Sequence, residues 1–253
     1  MKTLLGYIAA FVLLTVAGCG HSYPPSLRLA DSLMDSRPDS ALALLDAAHG
    51  QTAGAPEAVR MRYQLLRHQA MNKAYIPFTS DSAMLAVAAY YDRHGTANDR
   101  LLAHYLLGCV YRDLGEAPKA LSAYHDAVDC ADTTAVECDF VLLCKIRGQI
   151  ANLLLDMQLP YEALEELRDA SITAHRSGDS LMVIHCKTLQ THGFYLAGQL
   201  DSVIVLSEQQ SEAFLQHGDT IYSLVSLKPA LCSYIEMGRL TEAQEAMKRF
   251  GFS

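Results

Sequence analysis

Residues 101–132 read LLAHYLLGCVYRDLGEAPKALSAYHDAVDCAD, and this stretch decides the fold. Two apolar segments flank Gly115. Gly108 in the first and Ala120 in the second leave room for two helices to cross closely, while Leu107, Tyr111 and Tyr124 fill the space between them. Pro118 falls in the first turn of the second segment, where a missing N–H costs nothing. The stretch therefore reads as a helical hairpin. A large residue at Gly108 would overpack the crossing, at a cost of about 1–3 kcal/mol.

The hairpin recurs. Small residues of successive second helices align as Ala41, Ala83, Ala120, Ala163, Val203 and Ala243, at spacings of 42, 37, 43, 40 and 40. Local text repeats with them. Pro38-Asp39-Ser40-Ala41-Leu42 echoes Leu200-Asp201-Ser202-Val203-Ile204, and Ser177-Gly178-Asp179-Ser180 precedes a similar Gly218-Asp219-Thr220. Each echo is a helix start, at which Asp, Ser or Thr can cap open N–H groups. Gly95, Gly178 and Gly218 suit a left-handed residue closing the preceding helix. Pro38 and Pro160 sit in first turns, like Pro118.

Six hairpins follow, at roughly Ser26 to His49, Pro56 to His94, Ala97 to Thr133, Val136 to Arg176, Asp179 to Gln216, and Asp219 to the end. The fourth keeps the size pattern in Ile150, Ala151, Leu154, Ala163, Leu167 and Ala170, and the sixth in Leu231, Tyr234, Gly238, Ala243 and Met247. The fifth is degenerate, retaining little beyond Phe194 and Gly198. In the second, the apolar members of Tyr75-Ile76-Pro77-Phe78-Thr79 are expected to tuck against a neighbouring helix.

The third hairpin resembles a tetratricopeptide repeat. His104, Leu107, Gly108, Tyr111, Gly115, Ala120, Tyr124 and Ala127 fall on the eight signature positions, with His104 where the family prefers Trp and Asp132 where it prefers Pro. The resemblance implies an all-α fold, an α-solenoid of about six antiparallel hairpins in a right-handed superhelix. It also implies a protein-binding scaffold without catalysis, cofactor or metal. In the family, one face of each first helix lines a concave groove. The matching residues here are Tyr105, Arg112 and Asp113 in the third hairpin and Lys145, Asn152 and Asp156 in the fourth. The fifth and sixth supply His185, His192, Tyr195, Lys228 and Glu236. Aromatic anchors with both charge signs suit a peptide or protein segment better than a lipid tail.

The stretches Ala30-Asp31-Ser32-Leu33-Met34-Asp35-Ser36-Arg37-Pro38-Asp39-Ser40 and Tyr105-Leu106-Leu107-Gly108-Cys109-Val110-Tyr111-Arg112-Asp113-Leu114-Gly115 also resemble the N-terminal half of Bacteroidetes tetratricopeptide proteins. Those often continue into a membrane helix, a coiled coil and a regulatory output domain. The alternative function is therefore the sensory part of a signalling regulator. Ending at Gly251-Phe252-Ser253, without a polar capping helix, the repeat array is expected to be truncated or covered by something else.

The N-terminus speaks to location. After Met1-Lys2, the run Leu4 to Val16 is apolar apart from Thr15, which suits an export signal and is short for a membrane span. It closes in Val16-Ala17-Gly18-Cys19, which resembles the lipobox of bacterial lipoproteins. The expected organisation is a signal peptide over 1–18, a lipid-anchored tether over 19–25 beginning at Cys19, and a repeat domain over 26–253. Ordinary cleavage after Ala17 or Gly18, or an uncleaved anchor, are the other readings. The tether Gly20-His21-Ser22-Tyr23-Pro24-Pro25 lacks the acidic run that resembles a surface-export tag, so an anchored position in the cell envelope facing the periplasm is expected.

Composition agrees. Apolar residues make up 51%, Gly and Pro number only 15 and 8, and Trp is absent, a profile that favours helix on helix. A net charge of -8 argues against a nucleic-acid partner, which needs clustered Lys and Arg. Six cysteines follow Cys19. Cys130 and Cys138 straddle a turn and could bridge in an exported chain, whereas Cys109, Cys144, Cys186 and Cys232 fall inside first helices, where a small apolar side chain packs well. Ten histidines include no HExxH, and His185 and His192 stand two turns apart, too far to share a metal.

Overall fold

A computed structural model of the chain describes residues 23–216 and 218–251. The run read as an export signal, and Cys19, lie outside the described residues. Twelve α-helices and no strand occur among the described residues. None of these helices is long and apolar enough to cross a membrane. The chain divides into two compact units, the boundary falling between Pro77 and Phe78.

The first unit holds α1 (Pro25–Leu33), α2 (Pro38–Thr52) and α3 (Glu57–Lys73). Leu27, Ala30, Ala41, Leu45, Tyr63, Leu66 and Ala70 interlock as its core. Ion pairs from α3 fasten its rim: Arg62 to Asp31 at 2.7 Å, Arg67 to Asp46 at 2.9 Å and Lys73 to Asp35 at 2.7 Å.

The second unit holds α4 (Ser82–His94), α5 (Ala97–Asp113), α6 (Ala117–Cys130), α7 (Phe140–Asp156), α8 (Pro160–Ser177), α9 (Ser180–Leu196), α10 (Leu200–Gln216), α11 (Thr220–Glu236) and α12 (Leu240–Arg249). The third and fourth hairpins are the tightly packed pairs α5/α6 and α7/α8. A Cβ added to Gly108 would lie 2.4 Å from two ring atoms of the fully buried Tyr124, so even alanine is too large there. His104, in the place of the family's Trp, is largely buried and bonds Asp92 of α4 through Nε2 at 2.8 Å.

Turn chemistry holds the hairpins together, with two departures from expectation. Gly178 and Gly218 take positive φ, as read, and so do Gly115, Gly198 and Gly238. The last three stand five residues before Ala120, Val203 and Ala243, inside their hairpins; in the fourth hairpin the same position is Gln158, at φ 61°. Gly95 is not left-handed: its φ is -90°. Glycine is needed there for space, since a Cβ would meet the Tyr91 carbonyl at 2.7 Å and the Tyr91 ring at 2.9 Å. Asp179 and Asp219 cap α9 and α11, Pro38, Pro118 and Pro160 occupy first turns, and Thr96 closes a reciprocal capping box with Asp99. In the 75–79 connection Phe78 alone tucks in. It is 4% exposed, with its N–H on Asp113 Oδ2 at 3.2 Å, whereas Tyr75 is 94% exposed.

Candidate binding cavity

The fifth hairpin departs from the third and fourth. α10 packs far more on α11 than on its own partner α9, the reverse of the arrangement around α6 and α8. The cause is legible in side-chain size. Four residues after the aligned small residue, the third hairpin has Tyr124 and the fourth Leu167, each filling the space between paired helices; the fifth has Ser207. Seven residues after it, Ala127 and Ala170 give way to Gln210. On the first helix, Thr191 replaces Gly108 and Ala151. Larger groups thus hold α9 off where small ones draw helices together, and a small one leaves space where a large one fills it.

Meanwhile α10 and α11 pack closely and carry small, fully buried residues, Ser211 on the one and Ser223 and Ala230 on the other. The hydroxyls of Ser211 and Ser223 stand 2.8 Å apart. Small side chains on both helices let these two axes come close.

The result is a cavity of about 900 Å³ walled by α9, α10 and α11. Its lining is mainly apolar, including Leu181, Ile184, Phe214, Tyr222, Val225 and Pro229. Leu181, Tyr195, Tyr222 and Val225 are well exposed at the rim. Across the interior Gln210 spans the opened hairpin: its Nε2 donates to Thr191 Oγ1 at 3.2 Å, and its Oε1 lies 3.4 Å from the Thr188 hydroxyl, which also faces the Ile184 carbonyl at 3.1 Å. Ser207 is among the residues around the cavity, and its hydroxyl is fully buried and has no hydrogen-bond partner. Pro229 lies inside α11 and brings no N–H, so the Val225 carbonyl loses its ladder donor. A buried hydroxyl and a freed carbonyl beside an apolar space are what an arriving ligand could satisfy.

Of the residues read as a groove face, His192, Tyr195 and Lys228 line this cavity. Glu236 sits close enough to Tyr195 that its charge pushes the phenol's pKa up. The others lie elsewhere. Tyr105 faces Tyr124, with ring centres 6.1 Å apart. Arg112 and Asp113 serve the fold: the guanidinium binds Asp113 Oδ1 at 2.8 Å and Gln149 of α7 at 3.2 Å, while Asp113 holds Phe78. Lys145, Asn152 and Asp156 lie on α7, and His185 leans against Gly148 of that helix. The family's groove positions name first helices only, so they miss Ser207, Gln210 and Phe214 on α10. The signal for these was the failed size pattern of the fifth hairpin.

No protein-family model matches the chain, and no curated protein does. Solved structures are similar in fold. RapI in its apo form superposes with a TM-score of 0.69 at 12% identity, over 89% of this chain and 63% of that one. A signal transduction ATPase with a tetratricopeptide repeat sensor from Pyrococcus horikoshii gives 0.65 at 14%, over 89% of this chain and 35% of that one. A kinesin light chain with TPR-like repeats from Podosopora anserina gives 0.55 at 16%, over 73% and 90%. Helical hairpins repeating at about forty residues, with a signature match in the third, thus carry the fold of the tetratricopeptide-like, all-α solenoids.

Proposed function

We propose that this chain is an envelope-anchored interaction scaffold, and that the opened fifth hairpin seats a peptide-like segment of a partner protein. The observation that carries the reading is the cavity between α9, α10 and α11, with its exposed apolar rim and its unpartnered Ser207 hydroxyl. A large apolar side chain of the segment fills the space. Its backbone then meets the polar groups at the edge, among them His192 and Lys228. Such a combination of apolar pocket and few polar contacts is how peptide grooves obtain both affinity and register.

The anchored location rests on the apolar run 4–16 and on Cys19. Cys19→Ala should abolish lipid labelling and release the chain from membranes; unchanged fractionation would contradict the anchor. A sensory role is the second reading, favoured by the repeat sensor of the Pyrococcus horikoshii protein. It would use the same cavity. Exposed Tyr195 and Tyr222 are the residues to change, because neither supports the core. Replacing both with Ala should weaken capture of the partner segment at least tenfold while the helical circular-dichroism signal stays intact. Undiminished capture would reject the cavity as the binding site.

A further inference from the structure

Cys144 on α7 and Cys186 on α9 lie with their Sγ atoms 3.5 Å apart, and each is 1% exposed. They share a small core patch with Ala170 and Ala174 of α8, and Met182 and Val183 pack against it from α9. The Cys144 thiol also reaches the Ala170 carbonyl at 3.6 Å. A disulfide bond is about 2.05 Å long, which leaves about 1.5 Å of approach to be found from side-chain rotation and a slight helix shift. The other cysteines are placed differently. Cys109 meets the Tyr124 hydroxyl, Cys130 lies beside Arg100, and Cys138 beside Arg176.

We propose that Cys144 and Cys186 form a disulfide that staples α7 to α9 once the chain meets a disulfide oxidant, of the kind an exported protein encounters. The chemistry is thiol–disulfide exchange. Cys144 gives up its proton and its thiolate attacks the oxidant's S–S bond, forming a mixed disulfide and releasing one oxidant thiol. Cys186, deprotonated in turn, attacks the Cys144 sulfur and releases the second. Two protein thiols are oxidised by two electrons, and one external disulfide is reduced to two thiols. A hydrogen bond joins the two sulfurs at 3.5 Å and stabilises whichever thiolate forms first, so the same exchange also runs with the two roles swapped. Because both thiols are buried, exchange takes place during folding or when α9 opens locally.

The staple has a purpose in this fold. α9 is the helix that α10 has largely left, and it walls the cavity. A bond to α7 holds that wall in place without help from α10. This inference stands independently of what the cavity binds.

The test is oxidative refolding of the full, native-sequence chain with oxidised glutathione, against a matched sample refolded in dithiothreitol. Free thiols are alkylated and a non-reducing digest is mapped by mass spectrometry. The expected result is a linked Cys144–Cys186 peptide and two fewer alkylated thiols. The melting midpoint should also rise, on the order of 5–10 °C, and the rise should vanish in C186S and on reduction. Should C186S fail to fold, the peptide map of the unmutated chain decides. Full alkylation of both cysteines after oxidative refolding, or their linkage only to other cysteines, would overturn the proposal.

Discussion

Ser207→Ala is the substitution in which fold and function should move in opposite directions. The Ser207 hydroxyl is fully buried on α10 and has no partner, so the folded chain carries its desolvation uncompensated. A buried polar group left unpaired costs about 1–3 kcal/mol. Alanine removes that group and also raises helix propensity by about half a kcal/mol. Against this stands the loss of one atom's packing, a few tenths of a kcal/mol. The net expectation is a gain of about 1.5–2.5 kcal/mol in the unliganded protein, equivalent to a rise of roughly 3–10 °C in melting midpoint for a unit of this size. Partner binding should weaken, because the hydroxyl is then missing when a ligand would have satisfied it. Ser233→Ala is the control: its hydroxyl is equally buried and unpartnered, yet it does not line the cavity. Urea titration of both variants, followed by calorimetric titration with the partner segment, measures both effects. If Ser207→Ala lowers stability, or if Ser233→Ala reduces binding as much, the reasoning about an unpartnered hydroxyl beside a ligand cavity is wrong.

Three further outcomes are expected. Gly108→Ala should destabilise by about 1–2 kcal/mol, since overpacking against Tyr124 outweighs a propensity gain of about 1 kcal/mol; in a Tyr124→Leu background the same change should become stabilising, as a double-mutant denaturation cycle would show. Gln158→Gly should stabilise by about 0.5–1 kcal/mol in thermal unfolding, because Gln158 occupies at φ 61° the left-handed turn that glycine fills in neighbouring hairpins. Burial holds the His68 imidazole below its ordinary pKa of 6.5. The unfolded chain therefore takes up a proton near pH 6.5 that the folded chain refuses. Its contribution is intact above that pH and erodes as pH falls below it, and His68→Leu should flatten the decline in melting midpoint between pH 7 and 5.

Much of this structure can be read from residue size. The aligned positions from Ala41 to Ala243 mark second helices that the structure contains, because close helix crossings tolerate only small groups and so leave a periodic trace. Capping by Asp179 and Asp219 was legible for a different reason, a hydrogen bond between residues two or three apart in the chain. What was not legible depends on several positions at once. Gly95 looks like a left-handed terminator until the Tyr91 ring and carbonyl are seen to crowd it. The cavity needs Ser207, Gln210 and Thr191 to be read together, as a hairpin whose filler is missing and whose spacers are too large. The family pattern pointed along the first helices to Tyr105, Arg112 and Asp113, yet Arg112 and Asp113 are engaged in holding α7 and Phe78. Cys144 and Cys186 stand about one repeat apart, and only helix stacking reveals that their sulfurs meet.

The central claim is that the opened fifth hairpin receives a protein segment. A photo-crosslinking residue at Thr188, an exposed position that lines the cavity, tests it most directly in intact cells. The account predicts a discrete protein adduct whose crosslinked peptide contains a large apolar residue, and which disappears when Phe is placed at Tyr195's neighbour His192 to block the opening. Absence of any adduct at Thr188, or an adduct unaffected by the blocking substitution, would contradict it.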